Sequence, residues 1–143
     1  MTEPTVAPFG AWESPFPISL LTVGVVAVGE VRARDGIRWW LEGRPDEKGR
    51  QILIRRERDG TETRLSPEGF NVRCRVHEYG GAAYLVEDDL VVVSDFSTGR
   101  LNRITAPGEL EPFTPERAWR YADLVLDGAR ERIIAIREAL LTA

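Results

Sequence analysis

Residues 71–84, Asn-Val-Arg-Cys-Arg-Val-His-Glu-Tyr-Gly-Gly-Ala-Ala-Tyr, decide the fold of this 143-residue chain. They contain its single histidine, His77, and its single cysteine, Cys74. The consecutive glycines Gly80-Gly81 allow the backbone to pass tightly against a neighbouring segment. On both sides of this stretch the sequence consists of short strand-like segments separated by turn residues, which is typical of an all-β protein.

The strand-like segments occur in two similar groups. The first group comprises residues 28–34, 37–42, 51–58 and 61–65, and the second comprises residues 82–86, 90–94, 100–104 and 109–113. The last strands of the groups match as Gly60…Leu65-Ser66-Pro67-Glu68 and Gly108…Phe113-Thr114-Pro115-Glu116, 48 residues apart at every matched position. A period of about 40 to 50 residues with four strands in each unit predicts the blades of a β-propeller.

A third unit begins near residue 121, with strands predicted at residues 124–126 and 132–137. Residues 130–143 contain no Gly or Pro and are rich in Ala, Arg, Glu and Leu, a composition that favours a helix.

Residues 71–84 resemble the signature between the first two propeller blades of the prolyl oligopeptidase family, in its acylaminoacyl-peptidase and dipeptidyl-aminopeptidase branch. Residues 7–12, 39–45 and 120–123 resemble the family's N-terminal segment, a first-blade strand and the start of a third blade. The resemblance implies an all-β partial propeller, with about two four-stranded antiparallel blades, the start of a third and an N-terminal Pro-rich arm. It also makes residues 133–136 a blade strand rather than a helix, and we expect this strand to continue to about Glu138. Residues 139–143 depart from the family pattern.

The predicted organisation has four parts. Residues 1–29 form an N-terminal arm and packing segment, residues 30–70 blade one, residues 71–118 blade two, and residues 119–143 the start of blade three. The arm carries four prolines and the aromatic residues Phe9, Trp12 and Phe16, which suits an extended segment laid over a neighbouring surface. The apolar run at residues 18–29 follows Glu3 and Glu13 rather than basic residues, so we expect a buried packing segment and not a signal peptide or a membrane span.

Composition narrows the class of partner and the compartment. The net charge of −4 and the pI near 5.1 argue against a nucleic-acid-binding protein. A single cysteine cannot form an internal disulfide, which favours a reducing, cytoplasmic location. We expect no membrane attachment, because the apolar run at residues 18–29 is too short to span a membrane.

No catalytic, cofactor-binding or metal-binding residue is predicted. The nearest match to a Gly-x-Ser-x-Gly nucleophile elbow is residues 95–99, which lack the first Gly. Cys74 and His77 form only half of a zinc motif, and residues 87–89 are expected to be a solvated acidic turn rather than a calcium site. We expect the His77 ring to bind backbone groups at a strand end. Trp39 and Trp40 must face opposite sides of one strand.

The resemblance implies the N-terminal propeller portion of a serine peptidase, itself non-catalytic, that restricts substrate access to a hydrolase domain beyond residue 143. Its expected partners are that α/β-hydrolase domain or further propeller blades, and a homo-oligomer is possible. The alternative function is a self-associating, non-enzymatic propeller module, because two blades leave apolar faces open at both ends. A third interpretation is a small stand-alone β-barrel that binds a ligand.

Overall fold

A computed structural model describes residues 6–22 and 24–140. The described part of the chain contains ten strands and one short helix, α1 (Ile18–Thr22). The strands are β1 (Ala27–Arg34), β2 (Ile37–Arg44), β3 (Arg50–Arg56), β4 (Glu62–Arg64), β5 (Tyr84–Glu87), β6 (Leu90–Ser94), β7 (Leu101–Ala106), β8 (Glu109–Pro112), β9 (Trp119–Asp127) and β10 (Arg132–Ala139). Three 3-10 turns, Pro45–Glu47, Val76–Glu78 and Gly128–Arg130, connect some of them.

The strands form three antiparallel sheets in chain order. Blade one is the sheet β1-β2-β3-β4, blade two is β5-β6-β7-β8, and the third unit is the pair β9-β10. This arrangement confirms the predicted partial propeller of two four-stranded blades and the start of a third. Because the described strands divide into three separate sheets and do not close on themselves, the stand-alone barrel interpretation is wrong.

Blade two is covered on both faces, and its side chains alternate accordingly. Tyr84 and Val93 pack toward blade one, whereas Leu85 and Val92 pack toward the third unit. The alternation follows from the two-residue period of a strand, and it explains why residues 90–93 are continuously apolar. In blade one, Trp39 is buried in the contact with blade two, while the Trp40 indole is only partly buried and donates to Glu42, as the strand period predicts.

The 48-residue repeat recurs in the hydrogen bonds. In blade one the Leu53 N–H donates to Ser66 Oγ at 3.1 Å, and the Leu65 N–H donates to the Leu53 carbonyl. In blade two the Leu101 N–H donates to Thr114 Oγ1 at 3.0 Å, and the Phe113 N–H donates to the Leu101 carbonyl. The hydroxyl thus ends the fourth strand in the same way in both blades, so the sequence match reflects a common structural role.

The final described segment is a strand, as the family resemblance implied. β10 extends beyond Glu138 to Ala139 and pairs with β9 along most of its length. Ile133 and Ala135 pack against the core between blade two and the third unit. This burial of alternate residues outweighs the helical preference of the composition, because local propensity differences are well under ~1 kcal/mol per residue.

The prediction of a buried packing segment at residues 18–29 is wrong for the residues that the structure describes. Ile18 and Leu20, in α1, and Val25, Val26 and Val28 are exposed. These residues are apolar, but an apolar run does not show which other surface, if any, covers it. No described segment of this chain buries these side chains.

Candidate functional site

Residues 71–80 form the connector between the blades and carry the sequence signature. The Val72 N–H donates to the Gln51 carbonyl of blade one, and the Arg73 N–H donates to the Ser94 carbonyl of blade two. Val72, Cys74 and Val76 are buried, whereas the intervening arginines are exposed. The connector therefore ties the two blades together through its backbone while its alternate side chains fill the core.

The two arginines on the exposed side share one aromatic partner. The guanidinium of Arg73 lies 5.2 Å from the centroid of the Phe96 ring, and that of Arg75 lies 5.4 Å from it. Cation–π contacts at exposed sites stabilise by about 0.5–1 kcal/mol each. Both arginines thus lie on the exposed side of the connector, on either side of the buried Cys74.

Gly80 and Gly81 pass close to the neighbouring backbone and side chains. Gly80 has a φ of +88°, and a Cβ atom there would lie 3.3 Å from the Cys74 carbonyl oxygen. A Cβ atom at Gly81 would lie 2.8 Å from both Ala122 Cβ and Asp123 Oδ2. A side chain would not fit at Gly81, which confirms the predicted tight passage.

Cys74 is held as a structural thiol beneath this crossing. Its Sγ donates to the Gly81 carbonyl at 3.2 Å. Burial raises the pKa of the thiol, and the nearby carboxylates of Glu30 and Asp123 add to the increase. The reactive thiolate is therefore disfavoured, which fits a packing role better than a nucleophilic one.

Two carboxylates from different units hold the backbone that follows the glycines. Glu30, at a bulge in β1, accepts from the Ala83 N–H at 2.8 Å, and Asp123, at a bulge in β9, accepts from the Ala82 N–H at 2.9 Å. Both acidic residues have positive φ, 49° and 54°. Blade one and the third unit thus use equivalent acidic bulges to grip consecutive amides of blade two.

The environment of Glu30 changes its acidity. Burial raises the pKa of its carboxyl, while the hydrogen bond from Ala83 and the charge of Arg32 act in the opposite direction. The Glu30 carbonyl also accepts from the hydroxyl of the buried Tyr84, which donates to the Trp39 carbonyl as well, at 3.2 Å. Glu30 is therefore part of the seam between the first two blades.

His77 and Glu78 attach the connector to the third unit. The His77 N–H donates to Glu138 Oε2 at 3.0 Å, and the ring Nδ1 lies 3.5 Å from Glu138 Oε1. The expectation that the ring binds backbone groups is wrong, because the ring faces this carboxylate and the backbone N–H makes the strand contact. Both residues have left-handed φ values, 52° and 61°, which are strained for side chains of this size.

Arg120 completes this attachment. Its guanidinium donates to the Arg75 carbonyl at 2.9 Å and to Glu78 Oε1 at 2.5 Å, and it lies 3.4 Å from Glu138 Oε2. Hydrogen bonds from Arg120 and Arg75 lower the pKa of the Glu78 carboxyl. Glu78 and the backbone groups of Arg75 and His77 thus hold β9 and β10.

These contacts leave the residues considered for chemistry in structural positions. The Ser97 hydroxyl, in the nearest match to a nucleophile elbow, donates to Asp95, and the His77 ring faces Glu138. In the acidic turn, Glu87 and Asp88 are paired with Arg34 at 2.6 and 3.0 Å. Across residues 6–22 and 24–140, no group of three or more His, Cys, Asp or Glu residues is arranged to hold a metal ion.

Two groups of exposed apolar side chains lie on blade one with the segment before it and on the third unit. We call Val25, Val26, Val28 and Val31 the N-terminal patch, and all four are exposed. The C-terminal patch is Val125, Ile134 and Ile136, which are 60%, 53% and 48% exposed. Val125 and Ile134 are direct cross-strand neighbours, so this patch is one face of the third unit. Sequence periodicity identified these residues as apolar strand positions but could not show which faces would stay uncovered.

The arm presents a further exposed apolar feature. Phe9 is 99% exposed, and its ring meets that of Trp12 edge to face, with 6.2 Å between the centroids. Phe16 is also exposed. Within the described ranges, no helix is long and apolar enough to cross a membrane.

Comparison with known proteins identifies solved structures that share this fold. The chain is similar to a puromycin-hydrolyzing peptidase of Mycobacterium tuberculosis, with a TM-score of 0.83 and 31% identity over 94% of this chain. Two crystal structures of puromycin hydrolase, one of them a mutant complexed with PGG, match with TM-scores of 0.69 and 0.72 and identities of 34% and 36%, over about nine-tenths of this chain.

The chain spans only about a fifth of the length of these peptidases, 22%, 21% and 22% respectively. No protein-family model matches the chain, and no curated protein matches it. The agreement of fold and sequence over nearly the whole of this chain confirms the resemblance carried by residues 71–84. The chain is therefore similar to part of the peptidases of the prolyl oligopeptidase family, consistent with an N-terminal portion of them.

Proposed function

We propose that this chain is a non-catalytic propeller portion that gates the access of peptides to a hydrolase domain. The observation that carries the proposal is the structural similarity to peptidases of which this chain spans about one fifth. The signature residues support it, because they hold three sheets together rather than forming a nucleophile, base and acid. The buried, reduced Cys74 is compatible with a cytoplasmic location for such a protein.

The arm is the proposed docking element for the hydrolase domain. Phe9 and Trp12 form an aromatic pair on the outside of the described structure, and large aromatic side chains are frequent anchors at interfaces. An aromatic anchor whose contacts are lost typically weakens binding by about 2 kcal/mol or more, roughly thirtyfold in Kd.

The test uses a puromycin hydrolase that retains its hydrolase domain but lacks the propeller segment matched by this chain. We would measure whether this chain binds to that truncated protein. We expect the chain alone to show no puromycin hydrolysis, to bind that domain in calorimetry, and to change its preference between short and long peptides. Phe9→Ala should weaken binding, whereas Phe113→Ala, an exposed aromatic in blade two, should not. Hydrolysis by the chain alone would contradict the non-catalytic role, and a lack of binding would contradict docking.

A second candidate function is a self-associating, non-enzymatic module, and the two apolar patches favour it. Exposed sheet faces of this kind promote association, because natural proteins rarely leave them uncovered. Light scattering should then give the mass of two or more chains, each of 16.1 kDa. The double substitution Ile134→Thr and Ile136→Thr should return the mass to that of one chain, and a wild-type monomer at high concentration would exclude this function.

A further inference from the structure

A cleft of about 620 Å³ opens between blades one and two, away from the signature. The two sheets are tightly packed around Leu41, Leu53 and Tyr84 and separate toward their hairpin turns. The cleft lies within the range of about 300–1,000 Å³ that small-molecule sites occupy. Its apolar lining comes from both blades and comprises Ile37, Trp39, Leu65, Val91, Ile104, Ala106 and Pro107.

Two hydrogen-bond donors lie next to each other in the blade-one wall. Trp39 and Arg55 are cross-strand partners in β2 and β3, so their side chains project from the same face of the sheet. Trp39 is 6% exposed, and its indole Nε1 is buried without a hydrogen-bond partner among the described residues. Arg55 is partly exposed and forms an ion pair with Glu57, with 2.7 Å between Arg55 Nε and Glu57 Oε1, so the terminal N–H groups of its guanidinium are the donors it can offer to a ligand.

The buried indole N–H of Trp39 has no acceptor among the described residues, which costs about 1–3 kcal/mol. Two adjacent donors in the wall of a cleft are matched best by one group that offers two acceptor oxygens, which is the chemistry of a carboxylate. The apolar lining of the same cleft suits a hydrocarbon body attached to that carboxylate.

The rim of the cleft also carries negatively charged side chains, in contrast to the positively charged Arg55 in its wall. Arg34 is already engaged by Glu87 and Asp88, at 2.6 and 3.0 Å. Asp35 and Asp89 also line the cleft, and both are exposed. These carboxylates at the turns are suited to pair with an ammonium group at the solvent-facing end of a ligand.

We propose that this interblade cleft binds small apolar carboxylates, such as an apolar amino acid or the C-terminal residue of a short peptide. The carboxylate accepts from Trp39 Nε1 and Arg55, and the apolar body lies against the side chains of Leu65 and Ile104. The proposal rests on these contacts alone and stands whether or not the chain gates a hydrolase domain.

The test is a titration of the whole chain followed by the indole N–H signals in ¹H–¹⁵N spectra. The chain has four tryptophans, and Trp39→Phe assigns the signal of interest. Leucine and N-acetyl-leucine are the probes, and N-acetyl-leucinamide is the matched compound without a carboxylate. We expect the two carboxylates to shift the Trp39 indole signal, and the amide to bind about tenfold more weakly or worse.

Matched variants separate this site from a general effect on the fold. Arg55→Gln should weaken leucine binding by about tenfold, since it removes the charged donor. Trp40→Phe, on the opposite face of β2, should leave binding unchanged, because the Trp40 indole donates to Glu42 outside the cleft. The unaltered indole signals report that each variant remains folded.

Three results would each overturn the proposal. The first is an unchanged Trp39 indole signal at millimolar leucine. The second is equal binding of the carboxylate and amide probes, or of the wild type and Arg55→Gln. The third is a nuclear Overhauser effect from a bound water to the indole N–H that persists at saturating probe, which would show that water alone satisfies this donor.

Discussion

At Gly81 the absence of a side chain allows the connector to cross the third unit. A Cβ atom there would lie 2.8 Å from Ala122 Cβ, which belongs to the buried cluster with Cys74 and Val76. We expect Gly81→Ala to lower the free energy of unfolding by about 1–3 kcal/mol, the usual cost of overpacking. The measurement is the urea midpoint of the whole chain.

Gly128→Ala provides the matched control for this prediction. Gly128 has open space around its Cα, and its φ is not positive. A substitution at such a surface site should change stability by no more than about 0.5 kcal/mol. Equal losses in the two variants would show that the close approach at Gly81 is not what makes glycine necessary there.

Glu30 should make stability depend on pH in a predictable direction. Because its folded-state pKa is raised above the ordinary value of 4.5, the folded state holds the proton more tightly than the unfolded state. Its stabilising contribution is complete below pH 4.5 and is lost as the pH rises through the folded-state pKa. Glu30→Gln lacks this loss and can still accept from the Ala83 N–H.

The measurement is the difference in unfolding free energy between wild type and Glu30→Gln at several pH values from 4 to 7. We expect the variant to gain relative to wild type as the pH rises above 4.5. A difference that stays constant across this range would mean that burial does not perturb Glu30. A difference that moves in the opposite direction would mean that the hydrogen bond from Ala83 dominates.

At the level of strands, the sequence predicted what local periodicity controls. The turns at Asp35-Gly36 and Asp59-Gly60 located the first hairpins, and the match of Ser66-Pro67 to Thr114-Pro115 located the ends of the blades. The contacts that depend on distant parts of the chain were not predictable. The partnership of His77 with Glu138 joins residues 61 positions apart, and no pattern near His77 announces it.

The error at residues 18–29 has a related cause. Apolar composition reports the free energy that burial of a segment would release, not whether a partner surface is present. The same limit applies to the candidate ligand cleft, since Trp39 and Arg55 become neighbours only through the β2–β3 register. The strand period places Trp39 and Trp40 on opposite faces, but it gives no information about which of them is buried or about the hydrogen-bond partner of the Trp39 indole.

The two hydroxyls that end the blades test whether the repeat is energetic as well as geometric. Ser66 is fully buried, and its Oγ accepts from the Leu53 N–H. Ser66→Ala should cost about 1–3 kcal/mol, because the Leu53 N–H loses its acceptor. Thr114→Val removes the equivalent acceptor of the Leu101 N–H and should cost less, since Thr114 is only half-buried.

Both effects are measured as shifts of the urea midpoint. Ser14→Ala is the control, because Ser14 Oγ accepts from the Phe16 N–H in the exposed arm, where water can replace it. Its cost should be no more than about 0.5 kcal/mol. If Ser66→Ala is equally mild, the repeated hydroxyl is a consequence of the turn geometry and not a determinant of blade stability.

Across the whole molecule, stability should be highest in the middle and fall toward both ends. Blade two is covered on both faces, and Val92 and Val93 of β6 are fully buried on opposite sides. Blade one and the third unit each have only one neighbouring sheet, and each carries an exposed apolar patch. In stacked units, the terminal members lose the stabilising contact that an internal unit has with a second neighbour.

Native-state hydrogen exchange should therefore show the slowest amides in β5, β6 and β7 and faster exchange in β1 and β10. Local opening free energies range from near zero at weakly packed segments to the global value in the core. Docking onto a hydrolase domain or self-association should slow exchange at whichever terminal unit becomes covered, so the experiment also locates the partner. Uniform protection from β1 to β10 in the isolated monomer would contradict this gradient and show that the three sheets unfold as one cooperative unit.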